Sequence, residues 1–252
     1  MRARVTIIIA GSALILIAAL VHPAGKDYRH TIVDVSWPNC GTSAKTGDVF
    51  ATGIIGVTGG LDFHPNPCLG QEATWFSHYA VYINTGYPGR ARGQKYLSSP
   101  RHCAPTEDSC LAYNYGFNAA TYAIRYASLQ NVHADIWWLD VETENSWTDN
   151  FLVNRQFLRG AEAATKQKVW FATVGIYSSP NQWNEIVGPW QNKLPVWLAT
   201  GATDKNTAVQ VCRTKSFTGG STWLSQYTIK YDQNFPCSNQ FTQHVTNTPL
   251  RP

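Results

Sequence analysis

Asp135-Ile-Trp-Trp-Leu-Asp-Val-Glu142 is the stretch on which the reading of this chain turns. Residues two apart on a β-strand share a face. Ile136, Trp138, Asp140 and Glu142 therefore point one way, and Trp137, Leu139 and Val141 the other. The second set is apolar throughout, as suits a strand covered by helices on that side. The first set runs from apolar to acidic toward the C-terminal end. A strand over 136–142 sets its two carboxyl groups about 6.6 Å apart by strand rise, above a tryptophan floor. A like charge and apolar surroundings both disfavour ionisation of one of them. A carboxyl group kept protonated near neutral pH is what general-acid cleavage of a glycoside requires.

Outward from this strand the same kind of run recurs. β-branched and aromatic residues mark strands over 31–36, 53–58, 79–84, 170–177, 195–199 and 222–228, with a weaker one at 208–212. Helices are expected over 115–129, where Phe117, Ala120, Ile124 and Ala127 repeat at three-to-four spacing, and over 151–165, where Phe157, Leu158, Ala161 and Ala164 do the same. A shorter one starts at Ser179-Pro180, with serine as cap and proline in the first turn. Strands alternating with helices give a parallel sheet with crossovers. Roughly eight strands in one domain over 25–252 give an α/β fold, a single irregular (β/α) TIM-like barrel, helix-poor in its last third. Residues 86–114 form one long irregular insertion after the third strand. In such a barrel that position is the C-terminal face, where sites are built, so the insertion is expected to wall the site.

The first 24 residues read as a leader. Met-Arg-Ala-Arg precedes an almost uncharged apolar run over 5–21, the layout of an export signal peptide or a retained N-terminal membrane anchor. No comparable apolar run follows, so any membrane contact is expected through this anchor alone and the rest of the chain is secreted or extracytoplasmic. Cysteine usage agrees: Cys40, Cys68, Cys103, Cys110, Cys212 and Cys237 are an even number in an exported chain, with no Cys-x-x-Cys pair. Sequence proximity favours Cys40–Cys68, Cys103–Cys110 and Cys212–Cys237. No metal and no cofactor are expected. Charged residues are only 14% of the chain and the net charge is +4, with no dense basic patch, which speaks against nucleic-acid binding. A monomer acting on a polysaccharide is the expected arrangement. Gly-x-Ser-x-Gly is absent, which disfavours a serine hydrolase.

Two further acids lie near strand ends. Asp34 closes the first strand, and Asp232 follows the last one within Tyr231-Asp-Gln-Asn234. In a closed barrel the first and last strands are neighbours, and the fourth faces them across the mouth. Asp34, Asp140, Glu142 and Asp232 could thus converge on one cavity. Tyr177, Trp197 and Tyr227, near strand ends, could stack on sugar rings, and Asn84 and Gln226 could read hydroxyl or acetamido groups. Arg90, Arg92, Lys95 and Arg101 in the insertion are either a solvated loop or a contact for an anionic wall polymer.

The ordered set Val33-Asp34-Val35-Ser36, Leu139-Asp140-Val141-Glu142, Gly175-Ile176-Tyr177-Ser178-Ser179, Leu194-Pro195-Val196-Trp197-Leu198-Ala199 and Ser225-Gln226-Tyr227-Thr228 with Asp232 resembles glycoside hydrolase family 25, the N-acetylmuramidase type of lysozyme. The resemblance implies an irregular (β/α) barrel and hydrolysis of a β-linked N-acetylated glycan, peptidoglycan above all. It implies Glu142 as general acid/base, Asp140 as its assistant, and Asp34 and Asp232 as groups that shape the electrostatics. The chain departs from the family at Gly56-Val-Thr-Gly-Gly60, at Tyr82-Ile-Asn-Thr85 and in the insertion, so it resembles a divergent member. Two other readings stay open: a non-catalytic glycan-binding or surface protein on the same barrel, and a chitinase-like hydrolase, whose acidic pattern over 135–142 is broken by Trp138.

Overall fold

The computed structural model describes residues 32–41 and 50–246; the leader lies outside them. From the N-terminus the elements are β1 (Ile32–Val35), β2 (Phe50–Gly56), α1 (Leu69–Ala73), β3 (Phe76–Asn84), α2 (Arg90–Gly93), α3 (Asp108–Leu129), β4 (Ile136–Asp140), α4 (Phe151–Lys168) and β5 (Thr173–Ser178). Then come α5 (Pro180–Val187), β6 (Val196–Ala202), α6 (Lys205–Val211), β7 (Thr222–Thr228), β8 (Asp232–Pro236) and α7 (Gln240–Thr246). The strands close into a barrel in sequence order. β1 to β7 run parallel, while β8 is antiparallel to both β7 and β1.

The two faces of β4 divide the core as the alternation expects. Trp137, Leu139 and Val141 belong to the outer layer with Val81, Ile83, Val174 and Ile176, packed against Ala120, Ala123, Ala161 and Ala164 of α3 and α4. Ile136 and Trp138 belong to the barrel interior with Ile32, Ile54, Ala80 and Leu224, joined by Phe241 and Val245 of α7. Trp138 fills the middle of the barrel, its ring 5.9 Å from that of Trp197 and 6.5 Å from that of Phe241. It has room because residue 175 is glycine: a Cβ there would sit 2.2 Å from the indole. On the outside, α3 and α4 touch backbone to backbone. A Cβ on Gly116 would lie 2.0 Å from the Phe157 carbonyl oxygen, and one on Gly160 2.0 Å from that of Tyr113.

Several expected elements are corrected. Residues 208–212 are not a strand: 208–211 close α6, whose cap is Asp204, its carboxylate accepting from the Thr207 amide. β5 starts at Thr173, not at Trp170. Asp232 does not follow the last strand but opens β8. Because β8 runs against its neighbours, its first residue still lies at the C-terminal mouth of the parallel strands. The insertion is more ordered than its composition suggests, holding α2, a 3-10 turn at Gln94–Tyr96 and the first turns of α3. Disulfides join Cys40 to Cys68, Cys103 to Cys110 and Cys212 to Cys237, the pairs that proximity favours.

Candidate active site

Parallel strands in register present equivalent residues side by side. Asn84 on β3 pairs with Asp140 on β4, Asp140 with Tyr177 on β5, and Tyr177 with Trp197 on β6. This row faces the barrel interior at the mouth. Asp34 and Ser36 from the end of β1, Gln226 from β7 and Asp232 from β8 complete the ring. Together with Val35, Asn39, Tyr82 and Glu142 they line a cavity of about 190 Å³. All four acids singled out in the sequence are therefore wall residues of one cavity.

β4 ends at Asp140, so Glu142 is not on the strand. It sits in the following turn, where its carbonyl accepts from the Trp147 indole at 2.9 Å. The 6.6 Å spacing expected from strand rise does not apply, because Glu142 lies beyond the end of β4, though the two carboxyl groups still interact. Asp140 is the deeper of the two, 2% exposed, while Glu142 is half-buried on the open side. Asp140 Oδ2 accepts from Asn84 Nδ2, and Oδ1 is buried without a hydrogen-bond partner among the protein's atoms. Burial first, then the Glu142 charge, raises the Asp140 carboxyl well above its ordinary range against the opposing Asn84 bond. Burial, then Glu144, raises Glu142, opposed by its bond with Asp140. Two interacting carboxyls, one of them buried, resist ionising together. Glu142 is the more open of the two.

Across the cavity Asp34 is held from two sides. Gln226 Nε2 donates to both of its oxygens, at 3.1 and 3.2 Å, and Asn234 Nδ2 donates to Oδ2 at 2.7 Å. Burial and the nearby Asp232 nevertheless push it up to about 7. Asp232 accepts from Thr228 Oγ1 at 2.5 Å.

Of the residues expected to touch sugar, Asn84, Tyr177, Trp197 and Gln226 line the cavity and Tyr227 does not. Asn84 lines the cavity, but its amide is committed: besides donating to Asp140, Oδ1 accepts from Thr58 Oγ1 at 2.8 Å and the Gly60 amide at 3.0 Å. Gln226 is likewise used up, its Oε1 accepting from the Tyr177 hydroxyl at 2.7 Å. Both amides hold carboxyl groups in place. Trp197 is a buried floor, its indole donating to Asn234 Oδ1 at 2.6 Å and its ring covered by Tyr177, centroid to centroid 4.3 Å. Tyr177 contributes a wall. Tyr227, one step along β7 from the inward Gln226, is not in the lining; its hydroxyl donates to Gln233 at 3.0 Å. Nor does any residue of the insertion line the cavity. Tyr96 instead packs on Phe63, Arg101 stacks on Tyr113 and Arg90 reaches Asp108 at 3.6 Å.

Sequence reasoning missed three residues. Asn234, which orients Asp34, shares a strand face with Asp232 by the two-residue period, and Tyr82 shares one with Asn84. Trp37, in the 3-10 turn directly after β1, is 49% exposed at the rim and offers an aromatic face where a sugar could stack. Among the described residues no group of three or more His, Cys, Asp or Glu is arranged to hold a metal ion.

Comparison with known proteins gives a consistent picture. The family model described as Lysozyme-like protein 1 matches residues 107–231. A probable family 25 lysozyme of Dictyostelium discoideum is 37% identical over 68 residues, which are 26% of this chain and 31% of the relative, so the match spans about a third of that protein's length. A family 25 glycosyl hydrolase from Bacillus anthracis superposes with a TM-score of 0.54 at 13% identity, covering 89% of this chain and 97% of that one. A muramidase from Trichobolus zukalii gives 0.51 at 14%, covering 85% and 96%. At such identities these structures carry the fold. The chain resembles glycoside hydrolase family 25 as a divergent relative with a closed α/β barrel.

Proposed function

We propose that this protein is an exported glycosidase that hydrolyses a β-linked N-acetylated glycan, peptidoglycan above all, with Glu142 as the general acid. The observation that carries the reading is the meeting of Asp34, Asp140, Glu142 and Asp232 around one cavity at the barrel mouth. A proton held between Asp140 and Glu142 is available on the open side through Glu142. Delivered to the glycosidic oxygen, it lets the leaving sugar depart neutral while positive charge builds on the ring of the other. Asp34 and Asp232 supply negative potential for the oxocarbenium-like centre, and a water then bonds to that ring carbon, its proton returning to Glu142 beside Asp140. The family likeness and the three disulfides, which suit an oxidising compartment outside the cytoplasm, support the same reading.

The test is release of new reducing ends by the purified protein from peptidoglycan and, separately, from chitin oligomers, with mass spectrometry of the products. Cleavage after N-acetylmuramic acid is expected, and Glu142→Gln should slow it by about 10²–10⁴. Tight glycan binding without turnover would replace this reading by the non-catalytic one.

A further inference from the structure

The end of the barrel opposite the mouth carries features the site does not use. The turn from α4 into β5 projects two large side chains into water, Trp170 at 81% and Phe171 at 88% exposure, packed edge-on at 5.6 Å. The Ala172 amide closes this turn on the Val169 carbonyl at 3.1 Å, and Phe171 adopts φ +64°, a left-handed backbone that bulky residues avoid. Folding would be served better by glycine or asparagine there. On the adjacent connection, at the end of α3, Leu129 is 68% exposed. Next around the same rim stand exposed Lys193, Arg213 and Lys215, with Lys168, its ammonium 5.9 Å from the Phe117 ring, against Asp135 and Glu185.

We propose that this base rests on an anionic lipid bilayer, with Trp170, Phe171 and Leu129 entering the headgroup region and the lysines and arginine meeting lipid phosphates. Three observations favour lipid over other partners. Aromatic side chains flanked by lysine are suited to a membrane interface. A protruding leucine offers a sugar nothing, whereas it adds to burial in acyl chains. And β1 enters the barrel at this same end, preceded by a segment whose apolar run over 5–21 is joined to Ile32 by ten residues, a reach of about 33–36 Å. With the base on the membrane, the mouth faces away from it, toward a wall polymer. The proposal does not depend on what the mouth does.

The test uses the full chain with vesicles of phosphatidylcholine and phosphatidylglycerol carrying brominated acyl chains, which quench tryptophan at bilayer depth. Residues 1–31 contain no tryptophan, and the chain has 10 in all, so quenching reports the folded part even where the leader binds lipid. The parent should lose emission on brominated vesicles that Trp170→Phe does not lose, on the order of a tenth of the total, and Lys168→Glu with Lys215→Glu should lower the effect. Trp170→Phe should leave the rate on soluble glycan fragments unchanged, so a failure here is separate from a failure at the mouth. Equal quenching of parent and Trp170→Phe would overturn the proposal. So would self-association in the absence of lipid, or retention on wall polysaccharide, that Trp170→Phe abolishes while quenching stays the same.

Discussion

Glu72 is a carboxyl group sealed in the fold outside the cavity lining, and replacing it by glutamine gives a clean test of the packing beside the end of β2. It is 0% exposed. Oε2 accepts from Asn66 Nδ2 at 2.6 Å, and Oε1 has no hydrogen-bond partner among the protein's atoms. The same Asn66 amide donates to the Gly56 carbonyl at 2.7 Å, so the group that could support a charge is shared. Burial therefore raises Glu72 from 4.5 to about 7. Between those values the folded protein keeps a proton that the unfolded chain has released. Stability must fall as pH rises through that window. At about 1.4 kcal/mol per unit, the cost fully developed above pH 7 is about 3 kcal/mol. Glutamine is neutral at every pH and escapes it. Urea denaturation of parent and Glu72→Gln at several pH values should show near-equal stability at pH 4 and an advantage for the variant that grows to about 3 kcal/mol by pH 8. An advantage independent of pH, or a parent that gains on the variant as pH rises, would refute the assignment of Glu72 as a buried, proton-holding group.

Two other outcomes follow from particular contacts. Gly160→Ala should lower stability by about 1–3 kcal/mol or more, since its Cβ would lie 2.0 Å from the Tyr113 carbonyl and force α3 from α4; an unchanged urea midpoint would mean the helices do not meet there. Asn84→Leu removes the donor that holds Asp140, a bond to a chargeable group worth about 1.5–3 kcal/mol. It should cut kcat by roughly 10–10² and, by raising Asp140 further, move the acidic limb of the pH–rate profile upward. A profile that does not move would remove Asn84 as the residue positioning Asp140.

The amino-acid pattern revealed those parts of the structure that depend on periodicity. The alternation from Ile136 to Asp140 separates barrel interior from helix-covered exterior, and β7 coincides with its expected span. Elements whose signal is local and brief were misread. Val209 and Val211 in α6 look like a β-rich pair, although Asp204 three residues before Thr207 is the cap that marks a helix. β8, Asp-Gln-Asn-Phe-Pro, has no β-branched residue at all and is held by pairing on both sides. α3 starts at Asp108, seven residues before the expected Tyr115, and Gly116 within it is set by close approach to α4. In the site, the acids were legible because carboxylates at strand ends stand out. The jobs of Asn84, Gln226 and Asn234 were not, because an amide that reads a ligand and one that orients a carboxylate have the same letter, and only the neighbours decide. Tyr227 falls outside the lining for a similar reason: a strand-end aromatic is rim, floor or outer wall according to one step of register.

The measurement that bears most directly on Glu142 as proton donor compares Glu142→Gln with the parent on two substrates. On peptidoglycan, where the departing sugar needs a proton, the variant should be slower by about 10²–10⁴. On an N-acetylated aryl glycoside whose leaving group departs without protonation, release of the aryl group in the first turnover should stay near the parent rate. Equal loss on both substrates, or full activity on both, would contradict the assignment.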